Sequence, residues 1–328
     1  MSDFTLLVNI VRDAMPVVVQ PTISAVVGAF VTSMFLRGNT QRSEFEKIKM
    51  GKIREAIDDL LNNGVLTLTE VFKCRNLIKI AEIADKEYKK KFQEDNDKMN
   101  HEFDFDWFLR FFEAAGNVSN EDMQFLWARI LAGEVKTPNS FSIRTLETLR
   151  NMTQNDAFVF NKMAQFVLFN EHGIKFLYRN DYHYSKKCNI NVNELYGISD
   201  KELNILDECG ILRPWSSDTI VNFNENNYFL FNKNIAIKFQ VPENSNSSND
   251  TPLHSHLEIT KIGEELISII DIQSNDNYIL DLGLFFKNEH PELEINAYKI
   301  KKNDDNDDYH LDYTNDLFDK HKSDITWE

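Results

Sequence analysis

Residues 124–135 read QFLWARILAGEV. Met123, Leu126, Trp127, Ile130 and Leu131 follow one another at spacings of 3, 1, 3 and 1, which places them on one helical face. Ser119 with Asp122 predicts a capping-box start for that helix, and Gly133 is the expected C-cap. The same punctuation continues on both sides. Upstream, Phe105, Phe108, Phe111 and Phe112 form an apolar stripe closed by Gly116. Downstream of Pro138, Ser142 caps a helix carrying Leu146 and Leu149, and Thr153 with Asp156 opens another carrying Phe160, Met163 and Phe166. The middle of the chain is therefore read as a compact helical bundle.

Before the bundle, residues 14–36 read AMPVVVQPTISAVVGAFVTSMFL, 23 residues without a charge. A helix of about 20 apolar residues crosses a bilayer. Arg37, Arg42, Lys47 and Lys49 follow, and basic residues on that side place the larger C-terminal part in the cytoplasm. No basic region precedes the run, unlike a cleaved signal peptide. Pro16 and Pro21 would kink a helix, and the unbroken part from Thr22 to Leu36 is short for a span. Ser24, Gly28 and Thr32 recur every four residues, as in close helix packing. Three readings stay open: a membrane segment, a self-association helix and a core helix. The residues that would act are Val17, Ile23, Val27, Gly28, Val31 and Phe35.

Residues 41–98 read as a charged helical hairpin, with Ile48, Ile53, Ile57 and Leu60 in its first arm and a second arm from Thr69 to Phe92. After residue 180 the texture changes. ELNILDECGIL reads as a short helix, YFLFNKNIAIKFQV as a β-hairpin turning at Asn232–Asn234, and ITKIGEELISII as a helix capped by Thr260. YILDLGLFF and LEINAYKI read as terminal strands. Helix, hairpin, helix is a winged-helix-like order. Between residues 303 and 328 nine acids stand against two lysines, which reads as a solvated acidic tail. The expected fold is mainly α with a C-terminal α+β part: an N-terminal apolar helix (1–40), the charged hairpin (41–98), a central helical bundle (99–180), a winged-helix-like module (181–302) and the tail (303–328).

Chemistry is sparse. The net charge of -16 disfavours broad contact with nucleic-acid phosphates. Three widely spaced cysteines give no disulfide framework or CxxC. No phosphate-binding, dinucleotide, zinc-hydrolase or serine-hydrolase motif occurs. His254 and His256 fall on one side of a strand, but two imidazoles do not complete a metal site. Asp304, Asn306 and Asp308 imitate a calcium loop whose sixth position is Tyr309 and whose twelfth is Asn315, which argues against an EF-hand. Asp104 and Asp106 read as helix N-terminal acids rather than an acid–base pair. No catalytic residue, metal or cofactor is expected.

The central stretch resembles a bacterial family, domain of unknown function 2806. The carrying pieces are Asp106-Trp107, then SNEDMQFLWARILAGE (119–134), PNSFSIRT (138–145), and the helix ending in Asp156-Ala157. LDECGIL and ITKIGEEL are similar to later family segments, so the likeness spans roughly residues 100–270. It implies no activity. It marks Trp107, Glu121, Gln124, Trp127, Glu134, Ser140, Ser142 and Arg144 as family-motif residues, with structural roles expected: Glu134 pairing with Arg144 across Pro138, and Ser140 or Ser142 capping the next helix. The bundle also resembles, at the level of fold, the alpha-type abortive-infection proteins of phage defence.

The expectation is a non-enzymatic bacterial effector or sensor of the phage-defence kind. Its N-terminal helix would act at the inner membrane or in homo-oligomer assembly, with the bulk of the chain in the cytoplasm. A protein partner or phage trigger would meet the C-terminal module. The alternative is a soluble adaptor, or a DNA- or protein-binding module, using the winged element.

Overall fold

The computed structural model describes residues 67–92, 104–179, 191–213, 217–221, 227–242, 251–303 and 306–321, together with Asn62. The uncharged run and the first arm of the charged hairpin lie outside the described residues. The chain divides into two compact units, residues 1–151 and 152–328.

The first unit is helical. Helix α1 (Leu68–Phe92) buries Val71, Cys74, Leu77, Ile78, Ala81 and Ala84, a 3-and-4 spacing that makes one face. Helix α2 (Phe105–Ala115) starts at Asp104, whose carboxylate accepts from the Trp107 N–H, and buries Trp107, Phe108 and Phe111. Helix α3 (Glu121–Lys136) is the opening stretch; Trp127, Ala128 and Ile130 have no exposure at all. Phe111 meets Trp127 edge-on at 5.3 Å, the geometry that the ring quadrupole favours. Helix α4 (Ile143–Asn151) buries Leu146 and Leu149. Lys79 pairs with Glu121 and Glu87 with Arg129, so α1 and α3 run in the same direction.

Two details of the expected punctuation change. The N-cap of α3 is Asn120, accepting from the Met123 N–H, rather than the Ser119–Asp122 pair. Gly133 lies inside α3, which runs on to Lys136. A Cβ at Gly133 would stand 2.7 Å from the Phe141 ring, so close packing, and not a helix end, explains the glycine.

The second unit is α+β. Helix α5 (Gln154–Met163) opens with the reciprocal Thr153–Asp156 capping box and leads through a 3-10 turn (Ala164–Phe166) into strand β1 (Leu168–Asn170). The remaining elements are β2 (Lys175–Arg179), α6 (Val192–Leu195), α7 (Asp200–Glu208), β3 (Ser217–Val221), β4 (Tyr228–Phe231), β5 (Ile235–Gln240), β6 (Thr251–Glu258), α8 (Lys261–Ile269), α9 (Asp276–Glu289), β7 (Glu294–Asn303) and β8 (Asn306–Asp312). Among the described residues the strands form one eight-stranded antiparallel sheet in the order β3-β6-β2-β1-β4-β5-β7-β8. Cross-strand register lines up Tyr228, Phe239 and Ile295, and beside them Leu230, Ile237 and Ala297. Helix α9 covers that face: Phe286 meets Phe239 at 5.6 Å and Tyr178 at 5.7 Å.

Three expectations are corrected here. YILDLGLFF is helix α9, not a strand. Its buried Tyr278, Ile279, Leu282, Phe285 and Phe286 follow at 1, 3, 3 and 1, and Asn275 caps it. Gly283 lets α9 approach the sheet, since a Cβ there would lie 2.6 Å from both Ile237 and Phe318. Residues 306–321 are not a solvated tail. They hold β8 and a 3-10 turn (Leu317–Asp319) whose Phe318 is buried. Finally, the β4–β5 hairpin is no free wing, because β4 also pairs with β1 and β5 with β7.

Candidate functional site

In the first unit two of the family-motif residues, Trp107 and Glu134, converge on one backbone position, Phe141. The Trp107 indole N–H donates to the Phe141 carbonyl at 2.7 Å. The Phe141 N–H donates to Glu134 Oε2 at 3.0 Å. The ring of the same residue fills the space that Gly133 leaves open. Glu134 also accepts from the Asn139 N–H at 2.6 Å and the Ser140 hydroxyl at 3.3 Å. Asn139 sits at φ 65, in the left-handed region that Asn tolerates better than most residues. The carboxylate thus holds a tight turn after Pro138 from the inside. Burial holds its pKa above the usual carboxylate value, against the smaller lowering pull of the hydrogen bonds from Asn139, Phe141 and Ser140.

Gln124 performs the same task at the preceding turn. Its amide donates to the Val118 carbonyl at 2.8 Å and to Asn76 of α1 at 3.3 Å, and Asn76 donates to the Gly116 carbonyl. Ser142 accepts from the Thr145 N–H and so begins α4. Glu121 is exposed and pairs with Lys79 at 2.6 Å, which holds its pKa down. Arg144 is exposed; the partners of Glu134 are the turn's own backbone and Ser140 rather than Arg144. Trp127 is fully buried, with its Nε1 lacking a hydrogen-bond partner, as is Gln124 Oε1.

The second unit carries a different cluster. His254 and His256 point from β6 to the face under α9, with ring centroids 5.4 Å apart. Phe176 lies 5.3 Å from the first ring and 4.6 Å from the second. His254 Nε2 meets the Tyr228 hydroxyl of β4 at 3.0 Å, and His256 Nδ1 meets the Thr219 hydroxyl of β3 at 3.3 Å. Burial first, and the neighbouring His256 second, hold the His254 pKa at about 3, so the ring is neutral at pH 7. Burial likewise pushes the Tyr228 phenol up, with Glu171 adding to it.

A second imidazole site has no local sequence signal. His321 Nε2 lies 2.7 Å from Asp281 Oδ1, and the Tyr196 hydroxyl donates to Asp281 Oδ2 at 2.6 Å. His321 and Tyr196 are 40 and 85 positions from Asp281 in sequence, and they meet it where the C-terminal segment and the end of α6 pack on α9.

The hairpin tip is held by its own chain. Lys233 Nζ donates to the Ile272 carbonyl, and Asn232 and Asn234 donate to Asp276 at the start of α9. Of the calcium-like residues, Asp304 lies outside the described residues, and 306–312 form a strand rather than a loop. Val17, Ile23, Val27, Gly28, Val31 and Phe35 also lie outside them. Among the described residues, no group of three or more His, Cys, Asp or Glu could hold a metal ion, and no helix is long and apolar enough to cross a membrane.

Residues 67–283 match the family described as "Protein of unknown function (DUF2806)". The chain belongs to the DUF2806 family. No curated protein and no solved structure matches it. The DUF2806 match begins at Thr67, the residue before α1, and ends within α9, so it takes in the turn-bracing cluster around Phe141 and the histidine pair alike.

Proposed function

We propose that this DUF2806 chain is a non-enzymatic bacterial effector or sensor. In this reading the described units supply scaffold and recognition, and the uncharged run at residues 14–36 acts at the membrane or in self-assembly. The observation that carries the reading is the convergence on Phe141. The motif's principal polar side chains, Trp107, Gln124 and Glu134, hydrogen-bond to the turns of their own unit, so the motif builds a rigid platform rather than presenting reactive groups. Phage defence is a setting in which such an effector would serve. A soluble adaptor that reads DNA through the hairpin has less support, because Lys233 is engaged by Ile272 and the net charge is -16.

The test is membrane fractionation and sizing of the full chain beside a variant lacking residues 1–38. The full chain is expected in the membrane fraction or in a discrete oligomer, with the truncated chain soluble and monomeric. Identical behaviour of the two, with the full chain monomeric and needing no detergent, sinks the proposal.

A further inference from the structure

Helix α1 has two unlike faces. One is apolar, buried and packed on α3. On the other, Leu68, Phe72 and Ile83 share a line with Arg75, Lys79, Lys86 and Lys90, at spacings of 3 and 4 that keep returning to the same side of a helix. The line runs for about 33 Å, from the first turn to the last. No acid lies on it: Glu82 stands to one side, and Asp85, further round, is paired with Lys89. Leu68 and Phe72 are 65% and 60% exposed.

The charge on this helix runs against that of the chain. Seven Lys and Arg stand against four Asp and Glu on α1, whereas the whole chain carries -16. Lysines in a last turn complement the helix dipole, but Arg75, Lys79 and Lys86 lie in earlier turns, beyond the reach of that effect. Lys79 is matched by Glu121, itself exposed, while Lys86 and Lys90 are exposed and enter no ion pair among the described residues. A nucleic acid would use the cations and leave Leu68, Phe72 and Ile83 without a role. A lipid surface uses both kinds of side chain: large apolar groups enter the acyl boundary, and ammonium groups on long stems stay among the headgroups. A straight line along one helix also meets a plane over its whole length.

We propose that the outer line of α1 docks on an anionic membrane surface, with Leu68 and Phe72 entering the acyl boundary and Lys86 and Lys90 held at phosphate headgroups. The contact is peripheral. It belongs to the first unit and does not depend on residues 14–36 entering the bilayer.

Co-sedimentation of the full chain with phosphatidylcholine vesicles, with and without phosphatidylglycerol, reads the contact. The expected result is tighter partition onto the anionic vesicles, weakening as salt is raised. A basic side chain near an anionic surface changes partition by roughly fivefold, so Lys86→Gln with Lys90→Gln should lose about 25-fold. Phe72→Ser should lose about 10-fold or more. Lys261→Gln with Lys320→Gln, which alters the net charge equally from exposed positions of the second unit, should change nothing. Failure to bind the anionic vesicles, or an equal loss in that control, overturns the proposal. So does a DNA duplex bound more tightly than the anionic vesicles and lost in the same α1 variants. Binding to neutral vesicles as well is what residues 14–36 would supply, and there brominated acyl chains decide. Quenching of Phe72→Trp on anionic vesicles beyond that of the unaltered chain supports the docking, and no added quenching refutes it.

Discussion

Replacing Glu134 with alanine removes one side chain and strips three donors of their acceptor: the N–H groups of Asn139 and Phe141 and the Ser140 hydroxyl. A hydrogen bond to a charged group is worth about 1.5–3 kcal/mol net, and an orphaned buried donor costs about 1–3 kcal/mol. Burial of the carboxylate, the effect that raises its pKa, subtracts from the total. The balance is a loss of roughly 2–4 kcal/mol. In a unit of about 150 residues each kcal/mol shifts Tm by about 2–4 °C, so the expected fall is roughly 5–15 °C. Glu134→Gln keeps one acceptor oxygen and should lose about half as much. Arg144→Ala is the control, because Arg144 is exposed; it should change stability by less than about 0.5 kcal/mol. Denaturant unfolding of the full chain, monitored by the fluorescence of buried Trp107 and Trp127, measures all three. If Arg144→Ala costs as much as Glu134→Ala, the pair expected from sequence is real and the turn-bracing account is wrong. If Glu134→Ala costs under about 0.5 kcal/mol, the convergence on Phe141 is not what holds the turn.

Other substitutions separate further parts of the account. Glu87→Ala breaks the buried 2.8 Å pair with Arg129, which is 7% exposed, and should destabilise by about 3–5 kcal/mol, whereas Glu87→Leu with Arg129→Met should come close to neutral in the same unfolding assay. Gly133→Ala would gain about 1 kcal/mol in an open helix, but with its Cβ 2.7 Å from the Phe141 ring it should instead lose stability; Phe141→Leu in the same chain should recover part of the loss. Phe318→Ala should cost about 3 kcal/mol or more in thermal unfolding, while a solvated tail would register no change.

The helical unit was legible because each of its signals is local. A cap and a stripe at 3.6-residue spacing lie within one helix length, and α1 to α4 follow the stripes, although the cap of α3 falls one residue later, at Asn120, and Gly133 lies inside it. The hairpin and the β6 histidine face were legible for the same reason. Where the reading failed, the deciding contact was distant. The run from Tyr278 to Phe286 is apolar enough to pass for a strand; it becomes a helix through the Asn275 cap and a glycine that fits against Ile237 and Phe318. The acidic segment is ordered by Phe318 and by a His321–Asp281 contact across 40 positions, neither of which composition can reveal. The brace on Glu134 was anticipated with the wrong partner, because spacing shows which side chains flank a turn but not that the turn's own N–H groups point inward.

Charge placement bears on what this protein can meet. The net charge of -16 alone would still permit a local basic patch. The cations, however, are repeatedly matched: Lys79 with Glu121, Lys162 with Glu202, Lys175 with Glu264, Lys301 with Asp312, Arg129 with Glu87 and Arg213 with Glu258. All but the buried Arg129–Glu87 pair are partly or well exposed and add little stability, yet each one cancels a positive charge that a phosphate backbone would need. Lys233, the cation at the hairpin tip, is engaged by a carbonyl. Apolar side chains do reach the surface, with Leu68 and Phe72 one turn apart on α1 and Ile220 on the edge strand at 60% exposure or more. The described surface therefore offers exposed apolar side chains beside cations that are largely matched by acids.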